Sequence, residues 1–259
     1  MTRLVVFQSN GKNRAMRIPV VQGVIDRRIL VNYRVEPDVA SRLLPAPFRP
    51  KLVSGYAIAG ICLIRLKSIR PRFLPAIAGL SSENAAHRIA VEWDTDQGLH
   101  EGVYIPRRDT SSRLNTLAGG RLFPGVHHHA RFNVHEFEHR YEVQVDSDDA
   151  QVHVAVAGSL VPQLPPGSVF GNLRASSKFF ETGSVGYSPA SDAQTYDGLE
   201  LCTSGWHVDA LAVDRVESSF FEDEQKFPRG TIEFDCALVM RGIAHEWHSR
   251  PALCAPGLA

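Results

Sequence analysis

Short apolar runs separated by turn-forming residues make up most of the chain. Residues 29–33 are β-branched and aromatic and predict a strand. Residues 36–44 predict a short helix, because Pro37 suits a first helical turn and Pro45 ends it. The mostly apolar stretch 52–69 contains glycines and predicts one bent strand or two strands with a bulge.

The clearest strand pattern covers residues 127–145. From Val134 onward, aromatic, apolar and histidine side chains at odd positions alternate with charged and amide side chains at even positions. A period of two is typical of a strand with one buried face. An acidic turn follows, and residues 151–161 predict the antiparallel partner. Residues 85–93 and 102–106 predict a second pair around an Asp- and Gly-containing turn.

Few segments predict helices. Ser111 or Ser112 is a candidate cap for a helix that follows it. Gly119 and Gly120 disfavour that helix but would let another backbone or a ligand approach closely. Residues 168–180 are the next helical candidate.

The whole chain predicts one domain. Prolines and Gly79 within residues 70–82 predict a loop, and residues 231–247 predict the last strand. Residues 1–25 have no clear period. We find no internal repeat and no low-complexity linker, and the alternation of strands with turns favours a single antiparallel, mainly β domain over residues 1–259. Residues 1–25 would be its N-terminal extension.

Composition narrows the classes of partner. The 28 Lys and Arg residues balance 28 Asp and Glu residues, which argues against nucleic acid. No apolar run approaches the roughly 20 residues that span a bilayer, so we expect no membrane partner. The N-terminal residues do not resemble a leader peptide, and we expect a cytoplasmic protein. The four cysteines, Cys62, Cys202, Cys236 and Cys254, form no CxxC motif and are expected to be free thiols, buried where the run is apolar.

One segment matches a zinc-protease motif. His135-Glu136-Phe137-Glu138-His139 fits HExxH letter for letter. On a helix, the two histidines would share a face, but four strand residues span about 13 Å, too far to share one metal ion. Because the alternation predicts a strand, we favour a half-buried strand over a zinc site.

The histidine cluster has two interpretations. His127 and His129 would share one face of a strand and His128 the other, and His245 and His248 lie late in the chain. These side chains could build a metal site or an acid–base site, but solvated or hydrogen-bonded strand histidines are the simpler interpretation. The sequence has no GxGxxG, GxxxxGK[ST] or GxSxG motif, and we expect no bound cofactor.

Several stretches together resemble the acetoacetate decarboxylase-like superfamily. Residues 29–37 (ILVNYRVEP) and the LLP of residues 43–45 are similar to its opening strand and helix. Residues 102–106 (GVYIP) resemble its G-x-Y-x-P strand, and residues 118–128 (AGGRLFPGVHH) resemble its AGRE-x-x-GFPKK segment.

The uncharacterised YqjF-like branch is a still closer match. Residues 121–123 (RLF) followed by residues 129–132 (HARF) resemble an RLFGLPYYHARM pattern, and residues 183–189 (GSVGYSP) resemble GSLGYSP. The resemblance covers about residues 25–250.

The resemblance implies a mainly β fold with a few short helices. Its antiparallel sheets would curve into a barrel-like arrangement around a central cavity, in a homo-oligomer. In the decarboxylase a lysine forms a Schiff base with a β-keto acid. The two lysines of the PKK motif fall on His127 and His128, and histidine cannot form that imine. We therefore predict that Schiff-base decarboxylation is not the activity.

The resemblance also places candidate binding residues. The family's substrate-binding arginine falls near Arg27 or Arg28, and its acidic partner falls near Glu83, His87 or Glu92. On a strand over residues 85–93, either the face with His87 or the face with Glu92 would line the pocket. We favour the face in which His87 lies beside two apolar side chains, because this fits an apolar pocket with one polar group.

Two further polar candidates come from the YqjF-like patterns. These are Arg131 and Tyr187, for which a surface ion pair or a core hydroxyl is at least as good an interpretation.

Three functional hypotheses follow. In the first, an enzyme uses His127, with His87 as a second catalytic candidate, for acid–base chemistry on a small carbonyl or carboxylate compound held by Arg28 or Arg131. Such an enzyme would be a lyase, hydratase, isomerase or hydrolase. The second is a non-catalytic protein that binds a small molecule. The third is a metal-dependent enzyme that uses the histidine cluster, although we assign no metal ligands.

Overall fold

The computed structural model of the chain describes residues 19–119, 124–190 and 195–254. This part of the chain contains thirteen strands, three α-helices and one 3-10 turn. The strands in chain order are β1 (Val21–Val35), β2 (Arg49–Pro50), β3 (Leu52–Val53), β4 (Tyr56–Pro71), β5 (Leu80–Thr95), β6 (Gly98–Thr110), β7 (His127–Phe137), β8 (Arg140–Ser147), β9 (His153–Val161), β10 (Val185–Pro189), β11 (Thr195–Thr203), β12 (Asp209–Ser218) and β13 (Ile232–Cys254). The helices are α1 (Pro37–Arg42), α2 (Arg113–Ala118) and α3 (Leu173–Thr182), and the 3-10 turn is Ala76–Ala78.

The strands form one sheet that closes on itself twice. Neighbouring strands in the order β13, β1, β4, β5 and β6 pair antiparallel, and we call these five strands the wall. The carboxyl end of β6 pairs in parallel with β7, from which β8, β9 and β12 lead back to β13. Upstream, β6 pairs in parallel with β10, from which β11 also leads back to β13. Two rings of strands therefore share the wall.

Wall strands are apolar on both faces because each face is buried. Ile29 and Val31 of β1 belong to the cluster that includes the interior side chains of β8, β9 and β12. Leu30, between them, belongs to a second cluster with Phe180 of α3. Adjacent strand residues point to opposite faces, so burial of both faces produces the nearly continuous apolar runs of the sequence.

The predicted fold class is confirmed, since the described residues are mainly β with few short helices. The helix predicted for residues 36–44 forms as α1, with Pro37 as its first residue. Ser112 caps α2 by accepting a hydrogen bond from Asn115 N at 3.2 Å. The helix predicted for residues 168–180 begins later, because Asn172 is its capping residue. Within the described residues, no helix is long and apolar enough to cross a membrane.

The prediction of one strand over residues 127–145 is wrong. The chain reverses at Glu138 and His139, and Phe137 pairs with Arg140 across the turn. Glu138 adopts the left-handed backbone conformation with φ of 51° that this tight turn requires.

The loop predicted for residues 70–82 is shorter than expected. β4 continues to Pro71 and β5 begins at Leu80, so the connection is residues 72–79 and contains the 3-10 turn. Ser68, with φ of 55°, absorbs the extra residues of this irregular region, where the β4–β5 register shifts between Leu66 and Ile69. Cys62 and Cys236 are buried free thiols as predicted, whereas Cys202 is exposed.

Candidate functional site

A cavity of about 170 Å³ lies within the ring formed by the wall, β10 and β11. This volume is comparable to the roughly 150 Å³ protein cavities that hold a benzene molecule. Most of its lining is apolar, with Phe180 of α3, Leu199 and Leu201 of β11 and Trp247 of β13 facing the wall strands. An apolar pocket with a few convergent polar groups is the usual form of a small-molecule site.

Three arginines supply most of the polar character of the lining: Arg28 of β1, Arg88 of β5 and Arg108 of β6. Their hydrogen-bond partners are neutral. Nε of Arg28 donates to Cys62 Sγ at 3.2 Å, Arg88 donates to Asn32 Oδ1, and Nε of Arg108 donates to Ser188 Oγ at 2.9 Å.

Several guanidinium nitrogens at this site lack a partner. Within the described residues, Nη1 of Arg28 and both Nε and Nη1 of Arg88 are buried and donate to no hydrogen-bond acceptor. Arg88 is only 3% exposed, and its guanidinium lies 4.7 Å from the centre of the Phe180 ring. Unpaired buried charges are costly, so these groups favour a bound anion.

Burial perturbs these arginines but does not neutralise them. Burial, with a smaller contribution from the nearby charge of Arg28, lowers the pKa of Arg88 to about 10. Burial likewise lowers the pKa of Arg108 to about 10. Both guanidinium groups therefore remain positively charged near neutral pH, and the cavity is electropositive.

Adjacent arginines point to opposite faces of the wall. Arg27 lies beside Arg28, is 1% exposed, and forms ion pairs with Glu83 at 2.5 Å and Glu136 at 2.6 Å. Carboxylates therefore satisfy the arginine on one face, while its neighbour on the cavity face has no such partner in the described part of the chain.

The same division recurs on β6. Arg107 pairs with Asp109 at 2.7 Å and Asp149 at 2.9 Å, whereas Arg108 lines the cavity. Alternation along a strand produces this division at both arginine pairs.

His127 is the histidine that reaches the cavity. It is the first residue of β7, and its Nδ1 lies 3.0 Å from Gly125 O. In the neutral ring, Nδ1–H donates this hydrogen bond and Nε2 keeps its lone pair. Gly119 packs so closely that a Cβ there would lie 2.5 Å from Nδ1. Gly125 turns the chain with φ of 78°.

Burial and, to a smaller extent, the positive charge of Arg108 together lower the pKa of His127 to about 4. The imidazole is therefore neutral at pH 7. Because Arg108 contributes to this shift, an anion bound beside Arg108 would raise the pKa of His127 towards its ordinary value near 6.5.

His87 lies on the other face of β5. It is completely buried, and its ring packs 4.6 Å from that of Phe220. Burial lowers its pKa to about 3, with a smaller contribution from the charge of Arg107. The cavity is lined instead by Asn84, Ala86 and Arg88. The predicted alternation set is the wrong one, because both faces of β5 are buried and the polar face is the one towards the cavity.

The remaining predicted site residues lie outside the cavity lining. Glu92 is at the surface, where its carboxylate accepts from Arg49 Nε at 2.8 Å. Arg131 is exposed on β7. Tyr187 is buried in an aromatic cluster with its Oη donating to Pro251 O at 3.3 Å, and burial raises its pKa to about 12.

The other histidines of the cluster are dispersed. His128 and His129 approach Asp149 at 3.2 Å and Asp148 at 2.7 Å, and His248 approaches Glu246 at 2.9 Å. Nowhere in residues 19–119, 124–190 and 195–254 do three His, Cys, Asp or Glu side chains lie where they could hold one metal ion.

The HExxH segment also has a structural explanation. Glu136 carries the ion pair with Arg27, and the segment spans the end of β7 and the turn that follows it. The arrangement is therefore not the helix that a zinc protease needs, as the alternation predicted.

Arg88 and Arg108 were missed from the sequence. Neither lies in a motif, and arginine is common on solvated strands. The available clue was that each of them directly follows another basic or titratable side chain: Arg88 follows His87, and Arg108 follows Arg107. The resembling segment at residues 121–123 lies outside the described residues.

Comparison with known proteins gives a consistent picture. The DUF2071 family, described as an uncharacterized conserved protein, matches residues 25–195. No curated protein matches the chain.

Solved structures match over nearly the full length. Acetoacetate decarboxylase from Legionella pneumophila subsp. pneumophila str. Philadelphia 1 covers 98% of this chain and 95% of its own at 11% identity, with a TM-score of 0.61. The enduracididine biosynthesis enzyme MppR complexed with pyruvate covers 97% and 96% at 11% identity, with a TM-score of 0.59. An acetoacetate decarboxylase-like enzyme from Sphingomonas wittichii RW1 covers 98% of both chains at 13% identity, with a TM-score of 0.57. At these identities the likeness establishes the fold.

Proposed function

The chain belongs to the DUF2071 family and has an acetoacetate decarboxylase-like fold, and from this premise we propose that it binds a small carbonyl or carboxylate compound in the central cavity. It acts on that compound by acid–base chemistry without a Schiff base. The observation that carries the proposal is the meeting of His127 with Arg28, Arg88 and Arg108 around one mostly apolar cavity.

The arginines suit a carboxylate. A guanidinium presents a planar fork of N–H donors that matches a carboxylate, and the unpaired nitrogens of Arg28 and Arg88 are available for such bonds. A protein of the same fold, MppR, is complexed with pyruvate, a small compound with both a carbonyl and a carboxylate.

His127 suits the proton transfer. In the proposed step, Nε2 removes a proton from the carbon beside the substrate carbonyl. The electron pair of that C–H bond forms a carbon–carbon double bond, and the π pair of the carbonyl moves onto its oxygen to give an enolate. Arg108, which lies close enough to His127 to lower its pKa, stabilises the enolate oxygen. The imidazolium then returns the proton to carbon or to a leaving group.

A Schiff base has no support among the cavity-lining residues. None of the described lining residues is a lysine. Lys67 pairs with Asp26 at 2.8 Å, and Lys51 pairs with Glu101. Borohydride treatment in the presence of pyruvate or acetoacetate should therefore leave no reduced adduct on the protein, as measured by intact mass.

The direct test is solvent deuterium exchange at the carbon beside the carbonyl of a 2-oxo acid, followed by proton NMR. Wild-type protein should accelerate the exchange, and His127→Gln should abolish it because the amide cannot accept the proton. His128→Gln is the matched control, since that neighbouring side chain pairs with Asp149. Exchange retained in His127→Gln would overturn the acid–base role.

A second candidate function is binding without catalysis. The observation that favours it is the low pKa of His127, about 4, which makes the free imidazole a weak base. Binding of a 2-oxo acid with no exchange in the wild type would support this alternative over the enzyme.

A further inference from the structure

We propose that the cavity binds a linear dianion, a dicarboxylate of four or five carbons or its 2-oxo form, with one carboxylate between Arg28 and Arg88 and the other at Arg108. The inference rests on the proposed function, because it specifies the ligand class of the same cavity. The supporting observation is that one mostly apolar cavity is lined by Arg28 and Arg88 and also by Arg108.

The first end centres on Cys62 of β4. Its Sγ accepts from Arg28 Nε at 3.2 Å, and its cross-strand register sets it between the two arginines. Arg28 is paired with Ile64, two residues after Cys62, and Arg88 is paired with Gly60, two residues before it. The two guanidinium groups therefore converge from opposite directions along the sheet. Their mutual repulsion contributes to the lowered pKa of Arg88.

The second end lies across the sheet from the first. Cys62 pairs with Ala86, Ala86 with Arg108, and Arg108 with His127, so these residues form one row across β4, β5, β6 and β7. Neighbouring strands are about 4.8 Å apart, which separates the backbone positions of Cys62 and Arg108 by about 10 Å. The row places Arg108 and His127 two and three strands away from Cys62, which accepts from Arg28, while Arg88 lies on the intermediate strand β5.

The charge count favours two negative groups. Three guanidinium groups line the cavity, and the carboxylate in the described part of the lining, Asp109, is already held by Arg107 at 2.7 Å. A monoanion would leave two of these positive charges uncompensated, whereas a dianion would leave one, shared between Arg28 and the buried Arg88.

The region between the ends is apolar and small. Ala86 lies between Cys62 and Arg108 in the row, and Ile64, Val103 and Ile105 add apolar surface to the cavity lining. Methylene groups therefore fit better there than the hydroxyl groups of a sugar phosphate. Scaled from the cavity of about 150 Å³ that holds the six carbon atoms of benzene, a volume of about 170 Å³ accommodates at least about seven non-hydrogen atoms. Succinate has eight such atoms, and 2-oxoglutarate has ten.

The test compares anions matched in length. Calorimetric titration and thermal shift at constant ionic strength would compare succinate with butyrate, and 2-oxoglutarate with 2-oxopentanoate. The dianions should bind at least tenfold more tightly than the monoanions. In Arg108→Gln and in Arg88→Met the dianion should lose that advantage, while the monoanion affinity in Arg108→Gln should change by less than threefold.

Control variants keep the outcome interpretable. Arg49→Gln removes a surface ion pair and should leave both affinities unchanged. Circular dichroism shows whether Arg88→Met folds, and Arg108→Gln carries the test if it does not.

Each outcome separates the two levels of the proposal. Equal binding of monoanions and dianions, or tighter binding of monoanions, would overturn the dianion inference and leave the proposed function standing. Failure of every anion to bind the folded wild-type protein would overturn both.

Discussion

Replacing His87 with phenylalanine should stabilise the protein in mild acid and leave ligand binding intact. The ring is completely buried on the face of β5 opposite the cavity and packs against Phe220. Within the described residues, neither ring nitrogen has a hydrogen-bond partner. Phenylalanine keeps the aromatic contact and removes the group that must take up a proton when the chain unfolds.

The magnitude follows from the pKa difference. Burial holds the pKa of His87 at about 3, against an ordinary value of 6.5. Between these values the unfolded chain binds a proton that the folded chain does not, so stability falls as the pH falls below 6.5. At pH 5 the imidazole makes the folded state about 2 kcal/mol less stable than at pH 7, at 1.36 kcal/mol per pKa unit. His127 and His245, with pKa values lowered by burial to about 4, act in the same direction.

The assay is urea denaturation at pH 7 and pH 5, followed by far-ultraviolet circular dichroism. The change in unfolding free energy between the two pH values should be about 2 kcal/mol smaller in His87→Phe than in the wild type. Any packing cost of the larger ring is common to both pH values and cancels. The exposed His139, changed to Gln, should leave the pH dependence unchanged.

Two results would refute the reasoning. An unchanged pH dependence in His87→Phe would show that the ring is not neutralised by burial. Loss of anion binding in a folded His87→Phe protein would restore His87 as a site residue.

Further expectations concern the cavity and the buried ion pairs. In Gly119→Ala the added Cβ would lie 2.5 Å from Nδ1 of His127 and displace the ring. Ligand affinity or the rate of exchange should therefore fall by at least half of the loss seen in His127→Gln. An unaltered exchange rate, measured by proton NMR, would contradict this. Arg27→Gln should destabilise the fold by about 3 kcal/mol in urea denaturation, because it removes a buried cation that pairs with both Glu83 and Glu136. The half-exposed Arg49→Gln should cost less than about 1 kcal/mol. Binding of an anion beside Arg108 should take up a proton between pH 4 and 6.5, since it raises the pKa of His127, so affinity should fall as the pH rises through this window. Calorimetry in buffers of different ionisation enthalpy measures the uptake, which should vanish in His127→Gln.

The fold was largely readable from the sequence, but the hairpin at residues 138–139 was not. Its turn contains no Gly, Pro, Asn or Asp, so the usual turn residues were absent. The available clue was that the inward-facing side chains change from even to odd positions along this segment. Phe132 and Val134 pack inwards at even positions of β7, whereas Tyr141 packs inwards at an odd position of β8. A two-residue turn that pairs residues 137 and 140 requires that switch.

The cavity face could not be chosen from alternation. Alternation distinguishes an apolar face from a polar one, but Ile89 and Ala90 are both buried on opposite faces of β5. His127 was found through the family resemblance, and Arg28 through the expected position of a binding arginine. Arg88 and Arg108 become significant only when closure of the ring brings β1, β5 and β6 around one space.

The two faces of the wall also divide the freedom to vary. Side chains on one face of the wall hold the packed interior shared with β8, β9 and β12, while those on the other face surround the cavity. Register shifts change which positions face the cavity, so that Val103, Ile105 and Arg108 of β6 all line it. Residues that line the cavity can therefore be substituted during evolution while the residues of the packed interior stay the same. Lineages built on this scaffold can diverge in ligand while keeping one architecture. A comparison of sequences restricted to the wall positions that face the cavity would group these lineages by the ligand that they bind.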